Sequence, residues 1–185
     1  MQIQSISSPP ISQPLQHVPI IHKGSDTVNN AYDWRLYWGS TSSDYRVWVD
    51  SGGSGTDTGS YKLTLNSWNH IVFTRTGTTD RLYLNGVLRG TSTSDNSIGN
   101  VYSTIYLARA NIGAAGQSYL DGRVDDLTIW SKVLGQSDVD ALYASGSGAT
   151  PQASGISLSG LKAYYNFEQT SGNLINQAIS WSQVN

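Results

Sequence analysis

Apolar and polar residues alternate with a period of two in several short stretches of the chain. Trp34, Leu36 and Trp38 alternate with Arg35 and Tyr37, and Tyr45, Val47 and Val49 alternate with Arg46 and Trp48. Aromatic and β-branched residues at this period predict half-buried strands. Further strand-type runs are residues 18–22 (VPIIH), 68–74 (WNHIVFT), 81–84, 87–89, 103–108 (STIYLA), a long run at 119–130 and a last one at 161–167 (LKAYYNF). Asn85-Gly86 separates two of these runs and predicts a tight hairpin, because both central residues of a type I′ turn need positive φ. The stretches GSDTVNNAYD and SGGSGTDTGS are dense in turn formers and read as loops. One helix is expected over 136–144. Ser137 and Asp138 stand where caps belong, Val139, Leu142 and Tyr143 follow helical spacing, and Gly146 is placed to end it. Short strands separated by turns predict an all-β fold, a two-sheet antiparallel jelly-roll sandwich with one short C-terminal helix.

The flanks have a different texture. Residues 1–16 are rich in Ser, Pro and Gln and are expected to form an extended N-terminal arm. Residues 17–146 hold the sandwich, 147–160 (GATPQASGISLSG at its heart) read as a linker, and 161–185 carry a terminal strand. The whole chain has 185 residues, enough to bury one core. Charged residues make up 13%, about half of the ~25% usual in soluble domains, so neutral polar groups carry the solubility, a palette of extracellular, cell-surface and virion proteins. The net charge is −2 without a basic run, which argues against nucleic acid. No apolar run approaches the ~20 residues of a membrane-spanning helix, so no membrane insertion is expected. The absence of cysteine removes disulfides and thiolate metal sites. The first residues lack the charged and apolar regions of a secretory signal.

Two blocks carry a family resemblance. WNHIVFTRTGTTDRLYLNGVLRG, residues 68–90, resembles the laminin-G-like pattern of a Trp-x-His strand leading into an Asn-Gly hairpin. DGRVDDLTIWSKVLGQSDVDALYASG, residues 121–146, is similar to that family's closing segment, which pentraxins share in related form. The chain thus resembles the laminin-G-like jelly rolls of the concanavalin A-like lectin/glucanase superfamily. It departs from them in one respect. Such domains usually open with a segment like LKAYYNFEQTSGN, which here stands at residues 161–173. Three explanations stay open: the terminal strand completes its own sandwich, completes that of a neighbouring copy, or begins a truncated second repeat. A sandwich lacking a strand exposes main-chain groups and core, which motivates the first two.

The superfamily also holds glucanases, whose retaining members need two carboxylates about 5–5.5 Å apart. The chain has a single Glu, Glu168, and its one close acidic pair, Asp125-Asp126, would point to opposite faces of a continuous strand. His17, His22 and His70 form no metal-binding spacing, and His70 reads as a structural histidine. No enzyme is expected. The resemblance implies calcium, with Asp125 and Asp126 as ligands and Asp121 or Asn111 behind them. A carbohydrate site is the other candidate. Six Trp and eleven Tyr against two Phe suit half-wet surfaces, and Trp34, Trp38, Tyr45 and Trp48 cluster on neighbouring strands. These aromatics are either core or sugar platform; Trp68 and Trp130 are expected in the core.

Two functions follow. The first is a non-catalytic extracellular recognition or adhesion module that binds a glycan or a cell surface. The second is a self-assembling structural subunit of a virion, fibre or surface layer, forming a homo-oligomer through the N-terminal arm and the C-terminal strand.

Overall fold

The computed structural model describes residues 2–5, 16–24, 32–40, 46–51, 54–93, 104–111, 117–120 and 122–178. In chain order the first strands are β1 (Gln2–Ser5), β2 (Gln16–Gly24), β3 (Tyr32–Ser40), β4 (Val47–Ser51), β5 (Ser54–Asp57), β6 (Trp68–Thr76), β7 (Thr79–Leu84) and β8 (Val87–Thr93). They are followed by β9 (Ile105–Leu107), β10 (Arg109–Asn111), β11 (Gln117–Tyr119), β12 (Gly122–Asp125), β13 (Leu127–Trp130), helix α1 (Gln136–Tyr143) and β14 (Leu161–Tyr165). One five-stranded sheet has the order β12-β1-β6-β7-β8, the other β5-β4-β3-β2-β9, and β13 pairs with β14 beside the first. Every ladder is antiparallel, as the short loops and alternating pattern require.

Two apolar clusters explain why these residues form these sheets. Ile20, Leu36, Val47, Val49, Ile71 and Leu82 are buried between the sheets, each from the core-facing side of its strand. Val72, Tyr83, Leu134, Val139 and Leu142 form a second cluster, where α1 covers the outer face of the first sheet. β6 is therefore covered on both faces, which accounts for its unbroken buried run from Asn69 to Val72.

The Asn85-Gly86 turn forms with φ of 51° and 80°. It also anchors α1. The Asn85 side-chain oxygen accepts from the His70 N–H, Gln136 Nε2 donates to the Gly86 carbonyl at 2.6 Å, and a Cβ on Gly86 would stand 2.7 Å from Tyr143 Cδ1. The Tyr143 ring stacks on His70 at 5.8 Å. The two blocks of family resemblance thus meet as one packing unit.

At the opposite edge β8 and β5 close the sandwich. A Cβ on Gly90 would collide with the Asp57 carbonyl oxygen and lie 2.7 Å from Thr56 Oγ1. Gly90→Ala is expected to lower stability by about 1–3 kcal/mol, since main chain must move. Urea unfolding checks this, and a change under about 0.5 kcal/mol, the level of a neutral surface substitution, would show that the sheet edges tolerate separation.

The structure differs from the sequence reading at several points. The run 119–130 is not one strand: it is divided into β11, β12 and β13, with Asp126 at φ 50° between the last two. Residues 54–57, within a stretch read as loop, form edge strand β5, paired to β4 from Trp48↔Asp57 to Ser51↔Ser54. Trp68 is 43% exposed rather than core, because it shares the helix-side face of β6 with His70 and Val72 but lies at the strand's start. Trp130 packs on the helix cluster, not between the sheets. α1 is capped by Gly135, whose N–H donates to Asp138 Oδ2 at 3.2 Å, and it ends at Ala144 with φ 47° instead of at Gly146. Within 1–16, Gln2–Ser5 lie in the first sheet between β12 and β6. Within 147–160, Pro151 is buried and Ile156 packs on the helix cluster. β14 pairs with β13 of the same chain.

Candidate functional site

The second sheet turns Leu36, Val47 and Val49 inward. Strand alternation then sends Arg35 and Tyr37 of β3, and Trp48 and Asp50 of β4, to its other face. The register sets them side by side, Tyr37↔Trp48 and Arg35↔Asp50, and adds Asp57 of β5 opposite Trp48. The Tyr37 and Trp48 rings stack with centroids 6.4 Å apart and planes within 8°. Trp48 is half-buried and Tyr37 is 5% exposed, so Tyr37 is the floor of the patch and Trp48 its more accessible member.

Two ion pairs frame these rings. Arg35 binds Asp50 at 2.8 Å, and Tyr37 donates its hydroxyl to the same carboxylate oxygen at 3.2 Å. Arg46 binds Asp57 at 3.1 Å. Each guanidinium also lies over an aromatic ring, Arg35 over Tyr37 at 4.6 Å and Arg46 over Trp48 at 4.8 Å. On the neighbouring strands His22 faces Arg35 in register and stacks on Tyr106 at 5.0 Å. Arg109 lies over the Tyr106 ring at 5.9 Å, so the described residues of this face combine half-buried Trp48 and buried Tyr37 with three guanidinium groups and the two carboxylates of Asp50 and Asp57.

Of the aromatic residues expected here, Trp48 lies on this face. Trp34 and Trp38 contribute backbone to β3, their side chains lie outside the described residues, and so does Tyr45. Tyr37, Arg35 and Asp50 were not singled out from sequence. The signal for them was the same alternation that placed Leu36 inward.

The acidic pair sits elsewhere, at the β12–β13 kink. The Asp126 N–H donates to Asp125 Oδ1 at 2.8 Å, and Tyr164 donates its hydroxyl to Asp126 Oδ1 at 2.6 Å. Burial, together with nearby Asp126 and Glu168, raises the Asp125 carboxyl above the ordinary carboxylate range. Burial and the bond to Asp126 likewise raise the Tyr164 hydroxyl, which stays a donor. The left-handed backbone of Asp126 interrupts strand alternation, so the argument that the two acids point to opposite faces does not hold here. Among the described residues no three His, Asp or Glu side chains converge to hold a metal ion. Asp125 and Asp126 each accept a protein hydrogen bond, and a Ca2+ ion, which takes six to eight oxygens, would need further donors beside them. Asp121 and the Asn111 side chain lie outside the described residues.

No described helix is long and apolar enough to cross a membrane.

The model of the concanavalin A-like lectin/glucanases superfamily that represents its laminin-G type matches residues 10–140. Among solved structures, a proposed carbohydrate-binding protein from Bacteroides ovatus superimposes with a TM-score of 0.64 at 17% identity, over 95% of this chain and 47% of its own. This chain therefore spans about half the length of that protein. The heptameric SAP-like pentraxin from Limulus polyphemus superimposes with a TM-score of 0.52 at 16% identity, over 77% of this chain and 66% of its own. At these identities the likeness is one of fold. Among curated proteins none matches the sequence.

Proposed function

Because this chain belongs to the concanavalin A-like lectin/glucanases superfamily, we propose that it is a non-catalytic, extracellular carbohydrate-recognition module whose ligand lies on the outer face of the second sheet. The observation that carries this reading is half-buried Trp48, stacked on buried Tyr37 on the face of the second sheet opposite Leu36 and Val49, and bordered by the Arg35–Asp50 and Arg46–Asp57 pairs. An indole or phenol face takes the C–H side of a sugar ring, while carboxylates and guanidinium groups take its hydroxyls. The Bacteroides ovatus neighbour adds support at the level of fold and described binding. Against catalysis stands the single Glu of the sequence, Glu168, which follows β14 and is exposed.

A glycan array followed by calorimetry on the best hit tests the proposal. Trp48→Ala is expected to weaken binding about ten-fold or more, which corresponds to about 1.4 kcal/mol, with the thermal transition still cooperative. Equal binding by the variant, or no glycan bound by the parent, would sink it.

A further inference from the structure

Each of the three aromatic rings described on the outer face of the second sheet carries a guanidinium. Arg35 lies over Tyr37 at 4.6 Å, Arg46 over Trp48 at 4.8 Å and Arg109 over Tyr106 at 5.9 Å. A sugar that lays its C–H side on an indole needs the space that a stacked guanidinium takes. A sugar reaching Trp48 therefore competes with Arg46 for the ring.

The sheet fixes what surrounds the indole. Strand alternation puts Arg46 and Asp50 before and after Trp48 on the same face of β4. The register puts Tyr37 on one side of it and Asp57 on the other. Three of these four neighbours are held in place. Tyr37 is buried. Asp50 Oδ2 accepts from Arg35 Nε and Nη2, both at 2.8 Å, and from the Tyr37 hydroxyl. Asp57 accepts from the Gly59 N–H through Oδ1. The fourth neighbour is held less firmly. The ion pair of Arg46 with Asp57 is longer than that of Arg35 with Asp50, 3.1 Å against 2.8 Å, and its side chain is more exposed, 32% against 19%. A part-exposed ion pair and a cation–π contact each shift an equilibrium only a few-fold, and a long arginine stem regains rotamer freedom when it lets go.

We propose that Arg46 is a movable cover that sets the affinity of the carbohydrate site, a proposal that rests on the carbohydrate reading of this face. In the free protein the guanidinium rests on Trp48, latched by Asp57. A sugar binds when the side chain swings off the indole. Arg35 stays on Tyr37 as part of the floor, because Asp50 holds it from both nitrogens. A protein whose binding-competent state is only a fraction of the population has its affinity reduced by that fraction. Removing a cover therefore tightens binding, whereas removing a contact weakens it.

The probes are methyl β-galactoside, a neutral pyranoside with one face of C–H groups, and the neutral oligosaccharide best retained on the glycan array. Binding is followed by NMR at the Trp48 indole N–H and at the Arg46 side chain. Arg46→Ala is expected to bind about five-fold more tightly than the parent, the fold-change that the two contacts of Arg46 imply together. In the parent, the Arg46 methylene protons beside the guanidinium lie upfield in the ring current of Trp48 and return toward their ordinary position as the probe saturates. Raising NaCl from about 0.05 M to about 0.5 M screens the latch, so it tightens binding by the parent and leaves Arg46→Ala unchanged. Equal or weaker binding by Arg46→Ala overturns the proposal. So do an equal salt response of the two proteins and Arg46 signals that stay in place while those of Trp48 move. These three outcomes leave the carbohydrate reading standing. That reading falls, and the cover with it, when Trp48→Ala binds as well as the parent, or when neither probe shifts Trp48 in the parent or in Arg46→Ala.

Discussion

Arg75→Ala is expected to destabilise the domain by about 3–5 kcal/mol, the cost of removing one member of a buried ion pair. Asp80 is fully buried, at 0% exposure, and Arg75 Nη1 reaches both its carboxylate oxygens at 3.0 and 3.1 Å. The same side chain donates from Nε to the Gly77 carbonyl at 3.1 Å. It therefore holds the β6–β7 turn, where Gly77 takes φ 55°, as well as the charge. Loss of Arg75 leaves the carboxylate in a dry site without this counter-charge. Replacing both residues, with Arg75→Met and Asp80→Leu, should recover a good part of the loss, because an apolar pair carries no charge to desolvate. Urea unfolding of the two single variants and the double gives the coupling directly. Additive losses would show that the pair does not act as a unit.

The parts of the fold that were legible in sequence are those where one local rule decides. Asn85-Gly86 is an example: positive φ at two consecutive positions admits few residues, so the turn is written in the pair itself. The inward set Leu36, Val47 and Val49 is another, because a period of two fixes the face once one member is placed. Illegible elements depend on pairing instead. Ser54–Asp57 has no apolar face and becomes a strand only because β4 offers it an edge. Asp126 reads as one more strand residue until its left-handed backbone and its Tyr164 partner are seen. Trp68 was misplaced because parity, not hydrophobicity, decides its face, and α1 does not reach the start of β6.

The candidate site was half legible for a related reason. Trp48 stood out as a large aromatic, whereas Arg35, Tyr37 and Asp50 looked like ordinary polar interruptions of β3 and β4. Their meaning lies in the cross-strand register, which brings Arg35 onto Asp50 and Tyr37 onto Trp48.

Acid is expected to weaken this fold through His70. The ring is buried, stacked on Tyr143, and its Nδ1 has no hydrogen-bond partner. Burial lowers its pKa to about 3, against about 6.5 in an unfolded chain. Between these values the unfolded chain takes up a proton that the folded chain refuses. Stability is therefore full above about pH 6.5 and falls toward pH 3 by about 1.4 kcal/mol per pH unit. At pH 5 the loss due to His70 alone is about 2 kcal/mol. Asp125 acts with the opposite sign, since its raised carboxyl is relieved by protonation, so the total acid response understates His70. His70→Phe isolates the contribution: it keeps a flat ring against Tyr143 and removes the titration. Urea unfolding of parent and variant at pH 7.5, 6 and 5 should give curves that diverge toward acid, with the variant losing about 2 kcal/mol less at pH 5. Parallel curves would mean that the ring takes up its proton in the folded state, and that the contact between the Asn-Gly hairpin and α1 opens to let it do so.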